Sequence, residues 1–251
     1  IIEDFPHAEE SYKVQDGYYE DLDRNGVRDL VLLLRIRDGV IVPDSYAESY
    51  LCIYMNDDSV YDKACAGYYF GLSQVLHGDV DQDGYTEIIC SIFTGGNGGN
   101  GSAEKSILKY KDHILVPMSF PGDIPEELAG VADEGYLVKV LYGNGENKYK
   151  AVCDGLGQTV EFNGQNALYP DGSRVVRYIK EDEAAGGNCR GYTEFAILIK
   201  DGREYLLAKE FLTGEGGTSH CVGWATFLMD WDKNGTPYVL EFNVEEYKPD
   251  F

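Results

Sequence analysis

"DVDQDGYTEIICSIF", Asp79 to Phe93, sets the pattern for the whole chain: three carboxylates on alternate positions, a glycine, and then an aliphatic run. The alternation lets Asp79, Asp81 and Asp83 turn inward together, and Gly84 permits the sharp bend of a wrapped loop. A hard cation takes about six to eight oxygens. The carbonyl of Tyr85 and the carboxylate of Glu87, at the ninth loop position, extend the donor set, and calcium is the expected ion. The run "EIICSIF" then reads as a β-strand. Loop followed by strand is the expected building unit.

That unit recurs. "DLDRNGVRD" places Asp21, Asp23, Asn25, the carbonyl of Val27 and Asp29 in the same positions, ahead of "DLVLLLRI". "DWDKNG" offers Asp230, Asp232 and Asn234 ahead of "YVLEF", but its ninth position is Tyr238, a poor calcium ligand, so this third site is expected to be weaker or empty. "EGYLVKVLYG" from Glu134 and "RGYTEFAILI" from Arg190 keep the strand without the carboxylates. With glycines as markers, Gly26, Gly84, Gly135, Gly191 and Gly235 are separated by 58, 51, 56 and 44 residues, which gives five units of about fifty.

The second unit reads as four strands: "FGLSQVLH", "EIICSIF", "SILKYK" and "HILVPM", the last two joined by a turn at Asp112 and His113. The fourth reads as "RVVRYIK", "TEFAILI" and "REYLLAKEF". Helical periodicity is scarce, and "DIPEELAG", Asp123 to Gly130, is the best short helix. The expected fold is therefore all-β. Four-stranded units at this period predict one β-propeller-like domain over residues 1–251, with about five antiparallel blades, because a small sheet buries both faces only by stacking on neighbours. Few residues follow "YVLEF", so residues 1 to 14 are expected to lend a strand that closes the ring. An irregular β-sandwich is the alternative.

Acidic residues exceed basic ones by 44 to 21, for a net charge of −23 over 251 residues. That balance opposes nucleic acid and anionic lipid as partners and favours cations. No apolar run approaches the roughly 20 residues of a membrane span. The chain starts at Ile1 with no basic, apolar leader, as expected if a targeting segment has been removed. Six cysteines are compatible with disulfides in an oxidising compartment, and equally with buried thiols at Cys90 and Cys153, which lie in apolar strand-like runs.

The pattern DxDxDGxxD leading straight into an aliphatic strand resembles the FG-GAP and VCBS repeats, the calcium-binding blades of integrin α-chain propellers and of many bacterial surface proteins. The likeness implies that Asp21, Asp23, Asn25, Val27 and Asp29 hold one ion and that Asp79, Asp81, Asp83, Tyr85 and Glu87 hold another. Asp230, Asp232 and Asn234 carry the motif in part. Integrin propellers have seven longer blades, so their ligand-binding face does not carry over. An EF-hand needs Glu at the twelfth loop position, where the first two loops have Leu32 and Cys90; the third has Glu241, but Pro237 and "YVLEF" argue against an exiting helix.

The run "GGNGGNGS" at Gly95 to Ser102 leads into a strand and lacks the Gly-Lys-Ser/Thr of a phosphate loop. No HExxH or closely spaced histidine pair marks a catalytic metal, and the adjacency of Ser219, His220 and Cys221 is not the geometry of a nucleophile and its base. The expected function is an extracytoplasmic, secreted or cell-surface binding or adhesion module, stabilised by calcium, that recognises protein or carbohydrate. The alternative is a carbohydrate-active enzyme, a glycosidase or lyase with its site near the propeller axis.

Overall fold

The computed structural model describes residues 12–36, 49–56, 60–65, 74–95, 102–111, 114–122, 135–145, 147–164, 181–185, 191–214 and 217–246. Their regular structure is all β, apart from a single 3-10 turn at Asp154–Leu156. The chain divides into two compact units, residues 1–95 with 103–118, and residues 96–102 with 119–251.

The first unit holds two four-stranded sheets, each an up-and-down meander in chain order. One contains β1 (Tyr12–Glu20), β2 (Asp29–Ile36), β3 (Ser49–Tyr54) and β4 (Val60–Cys65), and the other β5 (Gln74–Gly78), β6 (Glu87–Gly95), β7 (Ser102–Lys111) and β8 (Ile114–Met118). Strand β2 is the run "DLVLLLRI" itself. Its apolar residues are continuous rather than alternating because both faces are covered. Val31 and Leu33 pack with Leu51 and Ile53 of β3 and with Val75, Ile88, Cys90 and Leu108 of the other sheet. Leu32 and Leu34, on the opposite face, pack with Tyr12, Tyr50 and Cys52. Burial of each such leucine contributes about 1.5–3 kcal/mol. The loops Asp21–Arg28 and Asp79–Thr86 join β1 to β2 and β5 to β6.

In the second unit, β9 (Val138–Tyr142), β10 (Lys148–Cys153) and β11 (Gln158–Asn163) form a three-stranded meander. A longer sheet contains β12 (Glu194–Lys200), β13 (Arg203–Gly214), β14 (Gly217–Trp231) and β15 (Pro237–Glu246). Phe227, fully buried on β14, lies among Tyr136, Tyr192 and Phe242, with ring centroids 5.9, 5.4 and 5.2 Å away. The buried Tyr192 hydroxyl donates to the Pro121 carbonyl at 2.6 Å.

The five marker glycines all have positive φ, yet they fall on four sheets among the described residues. Gly235 sits in the hairpin between β14 and β15 and opens no sheet of its own. Of the expected ring-closing residues 1 to 14, Tyr12 and Val14 pair with Ile36 and Leu34 inside the first sheet. The sheets are small and open; a closed propeller ring is not among the features described. The predicted helix at Asp123–Gly130, the strand "RVVRYIK" and the glycines at 96–101 lie outside the described residues, as do residues 1–11. Cys52, Cys90, Cys153 and Cys221 are buried free thiols, which removes them from any disulfide framework. Among the described residues, no helix is long and apolar enough to cross a membrane.

Candidate metal centres

The first two loops repeat one another in backbone and in anchoring. The fourth position is left-handed in both, Arg24 at φ 60° and Gln82 at φ 61°, and so is the sixth, Gly26 at φ 85° and Gly84 at φ 86°. The ninth residue is a buried carboxylate at the first position of the following strand, 1% exposed at Asp29 and 0% at Glu87. Each reaches back to the backbone N–H of the second loop residue. Leu22 donates to Asp29 Oδ2 and Val80 to Glu87 Oε2, both at 2.9 Å. Asn25 Oδ1 and Asp83 Oδ1 likewise accept from the backbone N–H two residues on, at Val27 and Tyr85, at 2.8 and 3.0 Å.

This curl gathers oxygens. Asp21, Asp23 and Asp29 each offer a carboxylate oxygen within 4.8 Å of the others, and so do Asp79, Asp81 and Glu87. The donor set is hard and anionic, suited to a hard divalent cation rather than to softer metals. The two clusters are filled by different donors. At the first, Asn25 Nδ2 donates to Asp23 Oδ2 at 2.9 Å, and Asn56 Nδ2 donates to Asp29 Oδ1 at 2.8 Å and to the Val27 carbonyl at 3.3 Å. At the second, the ammonium of Lys109 on β7 pairs with Asp81, lies 2.9 Å from Asp83 Oδ2 and stands 3.2 Å from Glu87 Oε1. The last is an ionic contact without hydrogen-bond alignment, since Glu87 Oε1 has no hydrogen-bond partner.

The electrostatics reflect this packing. Burial pushes the Glu87 carboxyl up to about 8, and the Asp81 charge adds to the rise while Lys109 and the Val80 N–H oppose it. Burial pulls the Lys109 ammonium down, but hydrogen bonds to Asp81 and Asp83 and the charges of Glu87 and Asp81 outweigh it and leave it above its ordinary value. At Asp83 burial is outweighed in the same way, by the Tyr85 N–H and Lys109, and its carboxyl is held below the usual range.

The loops also touch. The Arg24 guanidinium lies over the Tyr85 ring at 4.2 Å, and its Nη2 donates to the Asp83 carbonyl at 3.4 Å. A Cβ on Gly84 would fall 1.6 Å from Arg24 Nη2, on a backbone that already disfavours side chains. Gly84→Ala and Gly26→Ala should each cost about 1–3 kcal/mol of backbone strain, and Gly84→Ala about 0.5–1 kcal/mol more, because its Cβ must push the flexible Arg24 guanidinium off the Tyr85 ring while Gly26 has open space around it. Urea denaturation of both variants checks this; equal losses would show that the Arg24 contact contributes nothing to stability.

The third loop is built differently. Asp232 caps a tight hairpin, its Oδ1 accepting from the N–H groups of Asn234 and Thr236 at 2.8 and 3.0 Å. Asp230, 5% exposed, accepts from the Tyr238 hydroxyl at 3.0 Å and from the Trp231 N–H at 2.8 Å. Thus Tyr238 at the ninth position satisfies a loop carboxylate instead of adding to the oxygen donors. Glu241, the EF-hand candidate, lies on β15 and pairs with Lys200, so no exiting helix follows this loop.

Neither Asn56 nor Lys109 is foreseen from the loop motifs, because each comes from a neighbouring strand or its end, 27 and 28 residues from the Asp29 and Asp81 it meets. Elsewhere, Cys221 is a poor nucleophile: burial pushes its thiol up to about 12, against a backbone hydrogen bond at Gly223 that lowers it. No family model, curated protein or solved structure matches this chain.

Proposed function

We propose that the chain is a calcium-stabilised binding module that works outside the cytoplasm, with its first two carboxylate loops acting as structural staples. The observation that carries this reading is the repeated loop itself: two strand-to-strand connections share φ values, the buried ninth-position anchor and a cluster of three carboxylates. Small carboxylate loops of this kind suit the millimolar calcium found outside cells, where extracellular modules bind with dissociation constants of about 0.1–1 mM. A net charge of −23 adds a general attraction for cations.

The propeller-like build, with blades of the FG-GAP and VCBS kind, belongs to the same proposal. It is supported by sheets that run in chain order and by a central strand, β2, covered on both faces. In such a module the loops fix the blades, and an exposed face carries recognition of a protein or a glycan. Tyr19, 55% exposed on β1, exemplifies the amphipathic side chain such a face uses.

Chelation is the test. Calcium at a hundredfold excess over its dissociation constant adds about 2.7 kcal/mol to the folded state, so a chelator should lower the melting temperature by roughly 5–10 °C. Calcium should restore it and magnesium should not. A glycan panel scored for both binding and hydrolysis should give retention without turnover. Turnover would move the protein to the enzyme class, and a melting curve indifferent to chelator would remove the ions.

A further inference from the structure

We infer that Lys109 is a built-in counter-cation of the second loop, so that this loop closes without a metal ion and admits a divalent cation only when the lysine swings out. The inference rests on the calcium reading above only for the identity of the competing ion. Its basis is the position of one side chain. The Lys109 ammonium is enclosed by Asp81, Asp83 and Glu87, the side chain is 9% exposed, and all three partners belong to the set that would ligate an ion. An ammonium and a divalent cation cannot share that space: both seek the same oxygens, and they repel one another. The flexible four-carbon stem of lysine provides the way out.

The first loop supplies the internal comparison. Asn56, at the end of β3 beside β2, meets the ninth-position carboxylate there, donating to Asp29 Oδ1 at 2.8 Å. Lys109, on β7 beside β6, stands against the corresponding carboxylate oxygen, Glu87 Oε1. The second oxygen of the ninth-position carboxylate thus meets a neutral amide in one loop and a cation in the other. Among the described residues, no Lys or Arg is paired with Asp21, Asp23 or Asp29. The two loops therefore differ in kind: the first needs an ion to offset its carboxylates, and the second brings its own. Calcium fills the first loop before the second.

Exchange of the two residues tests this in the full chain, by calorimetric calcium titration and by melting in chelator. The unmodified protein should bind one ion, with a second at least about tenfold weaker. Lys109→Asn should raise the affinity of the second ion at least about tenfold and lower the melting temperature in chelator, with calcium restoring it; folding only in calcium would be the strong form of the same result. Asn56→Lys should abolish the tight ion and make melting less sensitive to chelator. Two ions of matched affinity, unchanged by Lys109→Asn, would overturn the inference and leave the calcium reading standing. No ion in the unmodified protein, with one gained and stability in chelator lost in Lys109→Asn, would support the inference and overturn that reading. No gain of calcium binding and no change of melting in Lys109→Asn would overturn it outright.

Discussion

Asp29→Ala should lower the folding stability by about 3 kcal/mol or more, even with chelator present. The carboxylate is 1% exposed and accepts three hydrogen bonds, from the Leu22 N–H, the Asn56 N–H and Asn56 Nδ2. Bonds to a buried charged group are worth about 1.5–3 kcal/mol each, and removal of the acceptor leaves donors buried without a partner. These bonds also tie the first loop to the end of β3. Asp23 provides the contrast, because its carboxylate binds only within the loop, to the N–H and side-chain amide of Asn25. Asp23→Ala should cost about 1 kcal/mol or less in chelator. Urea denaturation measures both, and equal losses would show that Asp29 is not an anchor.

Phe227→Ala should cost about 3–5 kcal/mol, the largest effect expected in the second unit. The ring is fully buried on β14 and stands at the junction of Tyr136, Tyr192 and Phe242. Its deletion removes apolar burial and the edge contact with Tyr192 and leaves a cavity that the three surrounding aromatic rings cannot easily close. Leu240→Ala on the neighbouring strand β15, where the side chain is 43% exposed, should change stability by about 0.5 kcal/mol or less. Guanidinium melts of the pair check the difference, and a loss below about 1 kcal/mol at Phe227 would contradict the packing described.

Much of the strand pattern is legible in the sequence, because here the loop motif and the strand signal are contiguous. The bounds of β2 coincide with "DLVLLLRI", and β7 ends at Lys111 and β8 begins at Ile114, on either side of the expected turn residues, which lie outside the described residues. The repeat count is less legible. A glycine at positive φ serves a wrapped ion loop and a plain hairpin equally well, so Gly235 resembles Gly26 and Gly84 in sequence while lying in the turn of a sheet that began at β12. The candidate sites are legible only as far as local ligands go. Asp21, Asp23 and Asp29, and Asp79, Asp81 and Glu87, converge as their spacing implies. The donors that enter these clusters, Asn56 and Lys109, depend on strand pairing, which no local motif records. The third loop shows the converse: its carboxylates match the pattern, but hairpin geometry directs them to Tyr238 and to nearby backbone N–H groups.

The most direct test of the central claim is an anomalous difference map from crystals grown in millimolar calcium. A calcium peak is expected in the first loop, about 2.3–2.6 Å from oxygens of Asp21, Asp23 and Asp29, with the Asn25 and Asn56 amides turned aside. A first loop without that peak, its carboxylates still bonded to those two amides, would contradict that claim.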